Sequence, residues 1–348
     1  MSFFTEINKF RRILTRSLTR NIGRSRKIPK INEGEQPHFK RILISRPNGR
    51  LGNLLMLTPL LQEINSVFPD CKIDLFVKGN LASILFKNYK NIDQIIRLPR
   101  KPFNELVKYM KVWTTIKKYH YDLVINIDKG SSSGRIATKI SNSRFKIFGD
   151  EIENISKKYQ DYPHMAKFPV YNFREYLALL GYPLTENAVP FLDLKLSDSE
   201  ILEGKKILKD LIKNDKKTIS IFTYATCSKC YSTNWWEEFY GKLKIEFTDY
   251  NIIEILPIEN VSQIDFKATT FYSKDIREIG SVIANTTIFI GADSGIMHLA
   301  SATKTPTLGL FSVTDPKKYA PYNLKNIAID TNYCICEDYI KTLKNMLD

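Results

Sequence analysis

Hydrophobic runs rich in β-branched residues alternate with stretches of helical periodicity, and they do so twice along the chain. In the first pass Arg41–Ser45, Lys72–Val77, Ile92–Leu98, Asp122–Asp128 and Arg144–Phe148 read as strands. Asn53–Phe68, kinked at Pro59, then Phe103–Lys118 and Gly134–Ile140 read as the helices between them. Tyr171–Leu180 is a helix that stops at Gly181-Tyr182-Pro183, and the irregular stretch Thr185–Leu196, with Pro190, is the expected connection. The second pass gives helices at Asp198–Ile212, Asn234–Ile245, Asp275–Ala284 and Ser294–Ala302. Its strands are Thr218–Thr223, Asn251–Leu256, Thr287–Gly291 and Thr305–Phe311, and Glu337–Leu347 is a terminal helix. Strands alternating with helices require parallel βαβ units, so the chain is α/β with two Rossmann-like, doubly wound halves. The 348 residues suffice for two such cores. We expect a basic extension over 1–39, one domain over 40–185 and a second over 186–348.

Charge separates the extension from the rest. Residues 1–40 hold ten Lys/Arg against three acids, a net +7 of the chain's +15. Phe3, Ile7, Phe10, Leu14 and Leu18 recur at helical steps among those cations, the pattern of a helix lying in an anionic membrane surface, here through residues 1–30. A basic tail without fixed structure, or a helix docked on the body, fits the same residues. Nucleic acid is not an expected partner, because no clustered aromatics or binding module follow the tail. No run is long enough to span a bilayer and no secretory signal opens the chain, so a cytoplasmic protein is expected, peripheral on the inner face of the membrane. Five cysteines make no disulfide framework. Cys227/Cys230 and Cys334/Cys336 lie about a hundred residues apart with an unusual second spacing, so no metal and no cofactor are expected.

The strongest chemical signal is Phe289–Ala300, FIGADSGIMHLA. A strand ends at Gly291, Asp293 stands at the cap, and Ser294 and Gly295 open a helix whose free N–H groups suit a phosphate. His298, four residues after Ser294, lies on the same helical face. The ordinary alternative makes Asp293 a cap and His298 a core residue.

The longer segment FIGADSGIMHLASATKTPTLGLFSVTDP resembles the C-terminal motif of glycosyltransferase family 9, the ADP-heptose:lipopolysaccharide heptosyltransferase family. RILISRPNGRLGNLLMLTPLLQEINSVFP resembles that family's first strand, loop and helix, so the likeness runs in order over about 41–330. It implies a GT-B fold in which the C-terminal domain holds a nucleotide-sugar donor and the N-terminal domain an acceptor, with inversion at the anomeric centre and no metal. The donor would be ADP-heptose or another NDP-sugar, and the acceptor a lipopolysaccharide-core or other lipid-linked glycan. TYATCSKCY resembles the family's donor loop, which implies Lys229 and Tyr231 at the phosphates, Thr226 beside them, and Glu259 at the ribose. Asp293, Ser294, Gly295 and His298 complete the implied donor set, with Asp293 also catalytic.

One position departs from the family pattern. Relatives carry Gly-Asp in the N-terminal loop, the Asp serving as base; here the pair is Gly52-Asn53. A carboxamide cannot take up the acceptor's proton at neutral pH. Asp128, at the end of a strand in the same domain, is the substitute or an ordinary turn aspartate; otherwise transfer proceeds through a dissociative transition state with Asn53 only orienting the hydroxyl, or the chain binds nucleotide sugars without turnover. Arg46, Arg50, Lys129 and Arg135 fall on the cleft side of this domain and would suit a phosphorylated or carboxylated acceptor.

Overall fold

The computed structural model describes residues 22–23, 36–99 and 105–348. The N-terminal domain runs β1 (Arg41–Arg46), α1 (Leu51–Leu55), α2 (Thr58–Val67), β2 (Lys72–Lys78), α3 (Leu81–Leu85), β3 (Ile92–Leu98), α4 (Leu106–Lys118), β4 (His120–Asn126), α5 (Ser132–Ile140), β5 (Asn142–Ile147), α6 (Ile155–Lys158) and α7 (Phe168–Leu179). Its strands form one parallel sheet in the order β3-β2-β1-β4-β5. The C-terminal domain runs α8 (Asp198–Ile212), β6 (Lys217–Phe222), a single 3₁₀ turn (Cys227–Lys229), α9 (Thr233–Glu246), β7 (Tyr250–Ile255), β8 (Thr269–Phe271), α10 (Ile276–Ala284), β9 (Ile288–Ala292), α11 (Gly295–Ala302), β10 (Thr307–Phe311), α12 (Pro316–Tyr319), β11 (Ile327–Asp330) and α13 (Cys336–Leu347). Its parallel sheet has the order β11-β10-β9-β6-β7-β8. Each sheet therefore reverses strand order once, between β1 and β4 and between β6 and β9. The crevice beyond the carboxyl ends of those strand pairs is where such sheets bind ligands.

Local chemistry explains most boundaries. β1 reads RILISR with every residue after the first buried, as a strand covered on both faces must be. α8 opens with a full capping box, Ser197 accepting from the Glu200 N–H and Glu200 answering the Ser197 N–H. The expected single helix over 53–68 is instead two. Pro59 lacks the N–H a helix interior needs but fits a first turn, so α2 starts there and the chain breaks at Met56-Leu57. The short elements α3, α6, β8, α12 and β11 are additions to the expected pattern.

The connection after α7 is braced from both sides. Arg277 of α10, 3% exposed, donates to the Glu200 carboxylate and to the carbonyls of Leu85, Leu194 and Lys195, tying α8, α10, the connection and the end of α3 together. Arg174 of α7 does the same with Glu63 of α2 and the Asn187 carbonyl. Among the described residues no helix is long and apolar enough to cross a membrane. The stripe Phe3–Leu18 and the rest of residues 1–30 lie outside the described residues, apart from Ile22 and Gly23.

Candidate functional site

Asp293 sits one residue past the end of β9, at the switch point of the C-terminal sheet, with its side chain 8% exposed. A carboxylate this buried needs partners. Lys229 Nζ lies 3.1 Å from Oδ2, and Thr314 Oγ1 donates to the same oxygen at 2.6 Å. Ser294 caps α11 by accepting from the Met297 N–H, leaving the first N–H groups of the helix without intrahelical partners. His298 Nε2 stands 3.8 Å from Asp293 Oδ1, too long for a hydrogen bond. Burial pushes His298 down to about 4 against the pull of Asp293, with His164 and Lys229 adding to the fall, so the ring is neutral at pH 7. Its Nδ1 is buried with no hydrogen-bond partner among the described residues.

The turn that carries Lys229 follows β6, and Tyr231 just beyond it stacks on Trp235 at 4.2 Å while its hydroxyl meets Thr331 Oγ1 at 2.8 Å. Thr226 is exposed ahead of the turn, and Glu259 is exposed on the loop after β7. Glu254, at the end of β7, is fully buried; it accepts from Thr223 and Ser262, and burial raises its carboxyl above the usual range. Thr314 and Glu254 are site-region groups that the sequence reading passed over. Thr314 stood in the matched T-D-P segment, whereas Glu254 left no signal, being one acid in an apolar strand.

Across from α11 lies α1. An atom in the Cβ position of Gly52 would stand 2.6 Å from His298 Cδ2, and one at Gly295 would stand 2.9 Å from Leu51 Cβ, so two glycines let the helices touch. Asn53, next to Gly52, lines a cleft of about 880 Å³ with Arg46, Arg50, Asp128 and Lys129 from the N-terminal domain and Lys318 and Tyr319 from the other. Arg46, 4% exposed, forks inside it: Nη2 donates to Asn53 Oδ1 at 2.8 Å, and Nη1 lies 3.7 Å from Asp128 Oδ2. With its oxygen already accepting from Arg46, Asn53 has its amide N–H groups free of any side-chain or backbone partner among the described residues to offer a ligand. Asp128 keeps its side chain 40% exposed.

Arg135 corrects an expectation. It does not line the cleft: its side chain is 2% exposed and its N–H groups go to Asp150 and to the carbonyls of Ile22, Gly23 and Phe148. From α5 it points into the gap between β5 and the extension, and so grips the chain rather than a ligand. Lys129 pairs with Glu151 across the cleft mouth, both side chains half exposed. Among the described residues no three His, Cys, Asp or Glu side chains group as a metal site would.

Two doubly wound domains meeting at their switch points, with a buried Asp–Lys pair at one helix N-terminus, have the GT-B architecture of glycosyltransferases. The profile of Glycosyltransferase family 9 (heptosyltransferase) matches residues 262–346. It is 23% identical to lipopolysaccharide heptosyltransferase 3 of Escherichia coli K12 over 290 residues, 78% of this chain and 82% of the relative. In fold it matches the family 9 glycosyl transferase of Veillonella parvula at a TM-score of 0.70, with 17% identity over 90% of this chain and 98% of that one. Escherichia coli heptosyltransferase WaaC with ADP follows at 0.60 and 15% identity, covering 88% and 99%.

Proposed function

We propose that this protein moves a sugar from a nucleotide-sugar donor, ADP-heptose or another NDP-sugar, to a lipopolysaccharide-core or other lipid-linked glycan, inverting the anomeric centre without a metal ion. The observation that carries the reading is the contact of α11 with α1, which sets the Asp293–Lys229 pair opposite a cleft holding Asn53, Arg46 and Asp128. The ADP bound by the WaaC relative and the lipopolysaccharide heptosyltransferase named above support the donor and acceptor classes.

In this mechanism the diphosphate rests on Lys229 and on the N-terminal N–H groups of α11 at Ser294 and Gly295, with Thr226 and Tyr231 beside it and Glu259 at the ribose. Asp293 accepts from hydroxyls of the donor sugar, and neutral His298 packs behind it. Asn53 donates to the acceptor hydroxyl and Asp128 takes its proton. The acceptor oxygen bonds to the anomeric carbon as the bond to the diphosphate oxygen breaks, and the leaving charge falls on Lys229 and the helix end, a preorganised stabilisation that substitutes for a cation. Arg46, Arg50 and Lys129 meet anionic groups of the acceptor. The reaction takes place at the cytoplasmic face of the membrane, with the basic extension on anionic lipid.

The test is calorimetry with ADP-, GDP-, UDP- and dTDP-sugars, followed by turnover in EDTA and assignment of the product anomer by NMR. One donor should bind saturably and yield the inverted product with EDTA present. Binding of none sinks the proposal. A second reading, a donor-binding homologue without turnover, is favoured by Asn53 standing where a base is needed; binding with no product on any acceptor glycan would select it.

A further inference from the structure

We propose that the outer face of α4 is a membrane-contact surface that seats on anionic lipid headgroups beside the acceptor cleft; this rests on the lipid-linked acceptor of the preceding reading. α4 reads LVKYMKVWTTIKK, with four lysines and no acid. One side is used: Ile116 is fully buried and Tyr109, Val112 and Trp113 pack with it on Leu43, Phe76 and Leu98 of the sheet. The opposite side carries Val107 at 83% exposure and Met110 at 57%, with Leu106 at 59% on the flank, the densest run of exposed large apolar side chains among the described residues. At 100° per residue, Val107, Met110, Lys111 and Lys118 share that outward side. Lys108 is exposed in the same turn, paired with Glu105.

Three large apolar groups in water are costly, and ringed by lysines they match one partner chemistry: an apolar layer under an anionic surface. Lysine stems can lie along the acyl boundary while the ammonium groups reach phosphate. A binding face for nucleic acid would call for exposed aromatic rings, and the two on this helix, Tyr109 and Trp113, are turned inward.

The position fits the task. α4 follows the carboxyl end of β3, so its first turn lies at the same sheet edge on which Arg46 and Asp128 open. The extension is fastened at that edge as well. Arg135 of α5, which lies on the same sheet face as α4, holds the carbonyls of Ile22 and Gly23 at 3.1 and 2.8 Å. Gly23 has φ +67°, and a Cβ there would stand 2.2 Å from the Phe148 ring, so the docking point is specific to glycine. Ile22 and Gly23 therefore sit on the side where α4 shows its apolar face, and five cations against one acid stand ahead of them in the sequence, in residues 1–20. A membrane below would meet both, and a lipid-linked glycan would rise from it into the cleft.

The experiment is co-sedimentation of the full chain with vesicles of phosphatidylethanolamine and phosphatidylglycerol, against vesicles of phosphatidylcholine alone. Wild type should bind the anionic vesicles and be released by salt. Val107→Glu/Met110→Glu should weaken that partitioning by at least about tenfold, while ADP binding and thermal midpoint stay at wild-type values because both positions are exposed. If the double variant partitions as wild type does while Arg11→Glu/Arg12→Glu loses binding, the α4 surface is overturned and the lipid-linked reading stands on the extension. If wild type binds no vesicle, the surface is overturned too, and turnover of a delipidated acceptor glycan by the same preparation decides separately whether the transferase reading survives.

Discussion

Replacing Lys229 by alanine tests the donor site without any knowledge of the acceptor. In the structure Lys229 Nζ rests 3.1 Å from a carboxylate that is almost fully buried, so the cation is already desolvated on one side and aimed at the helix end. An arriving diphosphate competes with Asp293 for it and replaces a single carboxylate by a group of higher charge. A hydrogen bond to a charged group contributes about 1.5–3 kcal/mol, so its loss should weaken ADP binding by roughly 10- to 150-fold. Asp293→Asn gives the opposite sign. It removes a negative charge from the phosphate's surroundings and releases Lys229, so ADP should bind at least as tightly as to wild type, even as sugar transfer fails. Thr314 and the α11 N-terminus remain in both variants, and the carboxylate left by Lys229→Ala still accepts from Thr314, which limits collapse of the pocket. Calorimetric titration of ADP into the three proteins measures this directly. Equal ADP affinity in wild type and Lys229→Ala would falsify the assignment of Lys229, and a large loss in Asp293→Asn would mean that the carboxylate orders the site rather than opposing the anion.

Asp128→Asn should lower kcat by ~10²–10⁴ with donor affinity intact, and Asn53→Asp in that background should recover part of the loss; rates of nucleotide release with acceptor present show either result. Acid should destabilise the fold through His298: the unfolded chain takes up its proton below about 6.5 and the folded chain not until about 4, so stability falls as pH drops through that window, by up to ~3 kcal/mol. Urea midpoints at pH 7 and pH 4.5 measure the loss, which His298→Gln should reduce; His164, lowered by burial, keeps a share in the variant. Gly52→Ala puts a methyl 2.6 Å from the buried ring of His298, and overpacking of this kind costs ~1–3 kcal/mol. We expect a lower thermal midpoint and slower turnover, with ADP affinity falling less than in Lys229→Ala, since the methyl presses on His298 and leaves Lys229 in place.

The sequence made visible what depends on local pattern. Parallel strands buried on both faces must be continuous apolar runs, so β1, β6, β9 and β10 were read to within a residue or two of their ends. β8, only Thr269–Phe271, and α3, five residues, are too short for a period to declare itself and exist because neighbouring elements hold them. In the same way, Asp293 and Lys229 could be nominated separately from motif and resemblance, but the ion pair that joins them spans 64 residues of sequence. Arg135 shows the limit most clearly. Its place near the start of a cleft-side helix was read correctly, yet burial and rotamer send the guanidinium to the carbonyls of Ile22 and Gly23, and neither is written in the residues around it. Asn53 gave the converse case: its identity alone excluded a base, and only the fold supplied the arginine that fixes its oxygen.

That arginine bears on why an asparagine can stand at this position. A carboxylate at 53 would accept from Arg46 Nη2 as Asn53 does, and Asp128 would then share one buried guanidinium with a second negative charge. With asparagine the guanidinium's charge is left to Asp128, which is the more exposed of the two and already lines the cleft. In the mechanism proposed above proton acceptance would fall to Asp128, just past β4, while α1 keeps the direct contact with α11 that Gly52 and Gly295 permit. Arg277 and Arg174 anchor both ends of the connection, so the Asp293–Lys229 pair and Asp128 stand on two domains braced by buried arginines.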